Sequence, residues 1–166
     1  KIGKILIMPD KIPPHKSADN LVSDVDRIKM CEIAADDFNK ATVCTVEFNR
    51  QGKSYTYDTV KLLKKMYPKD NLAFVCGGDM LVYFDKWYKA EELMKMLPFI
   101  VFCRATTDSD EFYKSVERFG KMGMQIILME NEITGVSSTD FRNIPQKEFI
   151  PEKIYDYLKV RGLYGL

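Results

Sequence analysis

Five short stretches hold the side chains of this sequence that could do chemistry, and the chemistry they share is the binding of phosphates and sugars. In PDKIPPHKS, Pro13-Pro14 stiffens a loop and gives His15 and Lys16 a defined direction. His15 is the sole histidine, and beside Lys16 it could bind a phosphate; a solvated basic turn is the plain alternative. In GVSSTDFRN, the hydroxyls of Ser137, Ser138 and Thr139 stand next to Arg142, whose planar fork matches phosphate oxygens. The same residues would serve as a helix cap, with Asp140 in the first turn. In QGKSYTYDT, Gly52 permits close backbone approach, while Asp58 or Thr59 could simply cap a helix. Gly77-Gly78-Asp79 closes an apolar run, where glycines admit a ligand and an acid can accept ribose hydroxyls. Trp87, the only tryptophan, lies among Lys86, Tyr88 and Lys89, as a half-exposed ring able to stack on a base would; a core tryptophan is an equal alternative.

These stretches need a scaffold that brings them to one rim. Lys4–Met8 is a short apolar run halted at Pro9, which reads as a buried strand. Val25, Ile28, Cys31 or Glu32, Ala35 and Phe38 recur at helical spacing behind Ser23, a plausible cap. Ala41–Phe48 alternates and is rich in β-branched residues, so a strand is expected; Thr59–Met66 predicts a helix halted before Pro68. Leu72–Cys76, Phe99–Cys103 and Gln125–Met129 predict three further strands. Ala90–Leu97, Glu111–Lys121 and Pro151–Val160 predict helices, with Pro151 suited to a first turn. Alternation of strand and helix implies βαβ units, and the expected architecture is a doubly wound α/β fold with a parallel sheet. Ligands of such sheets bind beyond the carboxyl ends of the strands. The loops following the expected strands carry the unusual residues, except RATTDSD, which reads as an ordinary cap. YPKDN and FGKMGM, at the other ends, look like plain turns.

Composition narrows the function. The 166 residues suit one domain with a sizeable core, and no repeat or linker divides them. With 25 basic against 24 acidic residues, the formal charge of +1 gives no support to nucleic-acid binding. No stretch is long and apolar enough to span a membrane, and no signal peptide is visible. Cys31, Cys44, Cys76 and Cys103 are spread out without a C-x-x-C pair. Three of them have apolar neighbours, as buried free thiols in a reducing, cytoplasmic setting would. Self-association into a homo-oligomer stays open.

Taken together, KILIMPDKIPPHK, GKSYTYDTV, GGDMLVYFDKW and GVSSTDFR resemble, in order and approximate spacing, the bacterial nicotinate mononucleotide adenylyltransferases. The C-terminal IPEKIYDYLKVRGLY is similar to that family's final helix. The resemblance runs from about residue 4 to the end. It implies a Rossmann-like nucleotidyltransferase fold. It also implies adenylyl transfer from ATP to nicotinate mononucleotide, with Mg²⁺, giving nicotinate adenine dinucleotide and pyrophosphate in NAD biosynthesis. By this resemblance Ser137, Ser138, Thr139 and Arg142 would bind the ATP phosphates, and His15, Lys16 and Arg142 would act at the reacting groups. His15, Lys16, Ser54, Thr56, Trp87 and Tyr88 would bind the mononucleotide: Trp87 stacked on the pyridine ring, the N–H groups of Thr56 and Tyr88 on its carboxylate. Asp79 would contact ribose hydroxyls, with Gly77 and Gly78 making room. The substrate supplies its own nucleophile, so no serine triad or acid–base pair is expected.

The family pattern opens with a strand and a glycine-rich turn bearing H-x-G-H, a unit expected to be missing from these 166 residues. His15 belongs to P-P-H-K instead. The expectation is therefore a single, N-terminally incomplete nucleotidyltransferase domain over residues 1–166. Phe141 stands where the family usually has isoleucine, and Gly78 where it has alanine. Two other readings remain. One is a related adenylyltransferase acting on nicotinamide mononucleotide or pantetheine phosphate; the other is a nucleotide-binding module without turnover.

Overall fold

Among the described residues of the computed structural model every strand pairing is parallel, and a helix lies between the strands of each pair. The structure describes residues 2–12, 22–102, 110–129 and 138–166. His15, Lys16, Cys103 and Ser137 lie outside them. β1 (Ile5–Ile7) pairs with β2 (Ala41–Val43), Ile5 opposite Ala41, and α1 (Asp24–Asp36) makes the crossover. In a second sheet, β3 (Phe74–Gly77), β4 (Phe99–Phe102) and β5 (Ile126–Met129) lie in that order, with Cys76 opposite Val101 and Val101 opposite Leu128. α2 (Thr56–Met66) precedes β3. α3 (Gly78–Val82), a 3₁₀ turn at Phe84–Lys86 and α4 (Ala90–Leu93) join β3 to β4, and α5 (Asp110–Lys121) leads to β5. α6 (Ser138–Asn143), a 3₁₀ turn at Lys147–Phe149 and α7 (Glu152–Arg161) complete the chain. The α/β class with parallel strands is thus the one the sequence pattern implies. Two compact units emerge: Tyr55–Gly135 is continuous, whereas Lys1–Ser54 and Val136–Leu166 make the other.

The continuous unit is built on aromatic packing. Phe112 and Phe119, seven residues apart on α5, are both fully buried, as are Leu81, Phe84, Leu93, Phe99 and Val101. Phe84 lies at the centre, with ring centroids 5.2 Å from Phe99 and 5.4 Å from Phe119, edge to face in both cases. Such pairs contribute about 0.5–1.5 kcal/mol beyond the area they bury.

The discontinuous unit has fewer buried apolar groups and relies on polar ties. Asp26, in the first turn of α1, is 4% exposed. Its Oδ1 accepts from the Tyr157 hydroxyl (2.7 Å) and Arg161 Nε (2.9 Å) on α7, and its Oδ2 from the Ser23 hydroxyl (2.6 Å). Ser23 in turn caps α1, accepting the Asp26 N–H at 3.1 Å. Three donors, Arg161 foremost, hold the Asp26 carboxyl well below its ordinary range.

Several expectations are corrected. The stripe read for α1 holds only in part: Ala35 is buried and Ile28 and Cys31 are half-buried, but Val25 and Phe38 are 73% and 63% exposed, and the other buried residue is Asp26. The β2 ladder ends at Val43, and Val46–Asn49 turns as a 3₁₀ helix that buries Glu47, beside Arg50 at 3.7 Å. Gly78–Val82 and Phe84–Lys86 are helical rather than loop, because Leu81 and Phe84 anchor them in the core. α4 ends at Leu93, short of the expected Leu97. Pro151 occupies the cap position of α7 instead of its first turn.

Candidate functional site

In the continuous unit, unpaired backbone donors meet an aromatic platform. α2 begins at Thr56, three residues before the expected start, so Asp58 and Thr59 sit inside its first turn and do not cap it. The cap position falls to Tyr55, whose side chain makes no capping hydrogen bond. Tyr55 O accepts the N–H groups of Asp58 and Thr59, each at 3.1 Å, and the Thr59 hydroxyl at 3.2 Å. The Thr56 and Tyr57 N–H groups keep no acceptor among the described residues, as at any uncapped helix start.

The Tyr55 ring lies 4.6 Å from the Tyr88 ring, and Tyr57 meets Tyr88 edge-on at 6.0 Å. The Tyr88 N–H likewise has no acceptor among the described residues, whereas the Trp87 N–H donates to Phe84 O and the Ala90 N–H to Trp87 O. Lys89 takes a left-handed conformation (φ 52°, ψ 46°), and its ammonium lies 4.8 Å from the Tyr57 ring centre. The positive end of α2 and this ammonium favour a negative group here. Trp87 is half-buried, with its ring 5.8 Å from Phe74 and 5.4 Å from Phe84. One side of the indole is therefore committed to the core.

At the carboxyl end of β3, Gly78 is buried and Asp79 lies exposed in the first turn of α3. A Cβ built on Gly77 would run into the Asp79 carboxylate oxygen, so only glycine lets Asp79 fold back over this strand end. Beneath it, burial pushes the Cys76 thiol up to about 12, with the Asp79 charge adding to the shift. Burial also raises the half-buried Cys31. Neither thiol is a nucleophile near neutral pH.

In the discontinuous unit, Ser54 is 6% exposed. Its hydroxyl accepts the Lys11 N–H at 3.3 Å, and its own N–H donates to Ile12 O at 2.9 Å. Ser138, Thr139 and Arg142 are exposed on α6, and Arg142 Nη2 lies 3.5 Å from Thr139 Oγ1. The Arg142 guanidinium has no carboxylate partner among the described residues. Phe141, on the same helix, is buried. A cavity of about 290 Å³ lies against α6, lined by Ser138 and Arg142 with Met30, Phe141, Ile154 and Leu158.

The structure thus juxtaposes Tyr88 with the start of α2, gathers Gly77, Gly78 and Asp79, and groups Ser138, Thr139 and Arg142. Sequence reasoning passed over Tyr55 and Lys89. Their signal was the density of tyrosines at 55, 57 and 88, with a lysine at the hinge.

Residues 1–144 match the family model described as cytidylyltransferase-like, so fold and sequence define a nucleotidyltransferase of Rossmann-like type. A relative from Carboxydothermus hydrogenoformans, named "Probable nicotinate-nucleotide adenylyltransferase", is 35% identical over 99% of this chain and 84% of its own length. The nicotinate-nucleotide adenylyltransferase of Bacillus subtilis is 32% identical over 98% and 83%. The chain belongs to the nicotinate-nucleotide adenylyltransferase family. Among solved structures, the Plasmodium falciparum nicotinic acid mononucleotide adenylyltransferase complexed with NaAD superimposes with a TM-score of 0.76, at 20% identity, over 98% of this chain and 83% of that one. Its likeness speaks for the fold.

Proposed function

We propose that this chain transfers the adenylyl group of ATP to nicotinate mononucleotide, releasing nicotinate adenine dinucleotide and pyrophosphate. The observation that carries this reading is the pair of N–H groups at Thr56 and Tyr88 that have no acceptor among the described residues, brought together by the contact of the Tyr55 and Tyr88 rings, with the Lys89 ammonium close by. Two such donors suit a carboxylate on a flat ring, and a neutral amide would gain less from them. Trp87 offers part of its indole to the pyridine ring, and His15, Lys16 and Ser54 are assigned to the mononucleotide as well. Asp79 accepts ribose hydroxyls where Gly77 and Gly78 allow approach.

The chemistry asks the protein mainly for alignment and charge stabilisation. A phosphate oxygen of the mononucleotide attacks the α-phosphorus of ATP, the bond from that phosphorus to the bridging oxygen breaks, and pyrophosphate leaves. Ser137, Ser138, Thr139 and Arg142 hold the ATP phosphates; His15, Lys16 and Arg142 offset charge on the transferring group. Mg²⁺, if bound with ATP, would supply neutralisation of the phosphate charge. The hydroxyls and guanidinium of α6 fit the task of holding phosphates that carry such an ion. Residues 1–166 act as one nucleotidyltransferase domain, and the setting is the cytoplasm. No helix among the described residues is long and apolar enough to cross a membrane.

The test is calorimetric titration with nicotinate mononucleotide, nicotinamide mononucleotide and pantetheine phosphate, alongside pyrophosphate release with ATP and Mg²⁺. Saturable binding that favours nicotinate is expected. Equal affinity for the nicotinate and nicotinamide forms, or preference for pantetheine phosphate, would overturn the assignment.

A further inference from the structure

We propose that Lys89 sets the preference of this site for nicotinate over nicotinamide, its ammonium serving as the counter-charge of the ring carboxylate. This deepens the assignment of nicotinate mononucleotide and rests on it. Lys89 is exposed, and its Nζ lies 4.8 Å from the Tyr57 ring centre and 5.5 Å from that of Tyr88. No carboxylate among the described residues pairs with this ammonium; its recorded contacts are the two rings. A ring face attracts a cation through its quadrupole but carries no net charge. The ammonium is thus held in place without being neutralised. The N–H of Tyr88, the residue before it, also has no acceptor among the described residues.

A lysine is not what the local backbone asks for. The Ala90 N–H donates to Trp87 O at 3.2 Å, closing a turn with Tyr88 and Lys89 at its centre. Lys89 holds the second central position with φ 52° and ψ 46°, a left-handed conformation that favours glycine or asparagine. Its carbonyl accepts the Leu93 N–H at 2.9 Å and so opens α4. Glycine would make the same turn and the same bond with less steric strain. What lysine adds is its side chain, and that side chain lies over two rings of the site. Strain kept at such a place points to a role for the group that causes it. The two mononucleotides share their ribose, phosphate and pyridine ring. A charge near the phosphate would therefore favour neither, and only one at the ring substituent can separate them.

The experiment is calorimetry on the full chain with nicotinate and nicotinamide mononucleotides, at low and at physiological salt. Wild type is compared with Lys89→Gly, Lys89→Asn, Lys89→Arg and Lys61→Ala, with melting curves alongside. Glycine and asparagine keep the left-handed turn and remove the charge, so both variants should melt no lower than wild type. Each should lower the ratio of nicotinate to nicotinamide affinity about three- to fivefold. Lys89→Arg restores the charge and should keep the ratio. Added salt should shrink the ratio in wild type more than in the two neutral variants. Lys61→Ala removes an ammonium that lies 5.5 Å from the Tyr57 centre, and it should leave the ratio unchanged. An unchanged ratio in the neutral variants would overturn the role of Lys89 and leave the functional assignment standing. So would equal weakening of both ligands, or an equal fall in Lys61→Ala. If wild type shows no preference for nicotinate mononucleotide, the functional assignment falls and takes this one with it.

Discussion

Replacing Thr56 by proline should remove a single hydrogen-bond donor from the start of α2 while leaving the helix intact. Thr56 is the first helical residue, a position where proline is well tolerated because its N–H has no intrahelical partner. Tyr55 already has φ −92° and ψ 127°, the extended region that a following proline requires. Stability should therefore change by less than about 0.5 kcal/mol. A hydrogen bond from this N–H to a carboxylate is charge-assisted and contributes about 1.5–3 kcal/mol. Its loss raises the Kd for nicotinate mononucleotide about 10- to 150-fold. Nicotinamide mononucleotide, which presents a neutral amide, loses about 0.5–1.5 kcal/mol at most. The ratio of the two affinities thus falls, and that ratio is the quantity to follow. Thr56→Ala, which keeps the N–H and discards the hydroxyl, should behave like wild type. Calorimetry on three proteins with two ligands, with melting curves to certify folding, completes the design. A folded Thr56→Pro variant that preserves the preference for nicotinate would refute the reasoning.

Trp87→Ala should act on two readouts at once. Loss of its contacts with Phe74 and Phe84 costs about 2 kcal/mol of stability, half the usual penalty for a fully buried ring. Loss of stacking weakens the mononucleotide by about 1–3 kcal/mol; lower stability with unchanged affinity would confine Trp87 to the core. Gly77→Ala should displace the Asp79 carboxylate and reproduce the nucleotide-affinity loss of Asp79→Ala, so a Gly77→Ala variant that binds normally would deny Asp79 its role. Asp26 makes stability pH-dependent. Its carboxyl is held below its ordinary value of 3.8, so its contribution is complete above that pH and fades on further acidification. Urea titrations of wild type below pH 4 should therefore show a falling midpoint that flattens in Asp26→Asn, and parallel curves would count against the network.

Strand identity was legible because short apolar runs between turn residues have few alternatives, and the parallel pairing followed from the crossovers. The misreadings share a physical cause: tertiary partners override local preference. Val25 and Phe38 looked like the packed stripe of α1, yet Asp26 is buried in their place because Tyr157 and Arg161, more than 130 positions away, supply its hydrogen bonds. Nothing local announces such a partner. Asp58 and Thr59 are good cap residues, so an earlier, uncapped start at Tyr55 went against local preference. Departures of that kind concentrate where donors are left for a ligand. Trp87 was read as equally suited to core and ligand, and its ring does have a committed side. The bonds of Arg27 to the carbonyls of Asp10, Lys11 and Val22 were not legible at all, since any sequence provides such acceptors.

The discontinuous make-up of one unit sets an order of events during synthesis. Tyr55–Gly135 is a single run whose aromatic core is complete as soon as it clears the ribosome. Residues up to Ser54 emerge earlier, but α1 must wait for Tyr157 and Arg161, roughly ten seconds later at ordinary elongation rates. Throughout that interval Asp26 is a solvated carboxylate on an unfinished helix, while Tyr55–Gly135 has already folded. α7 thus closes a helix that was made well before it.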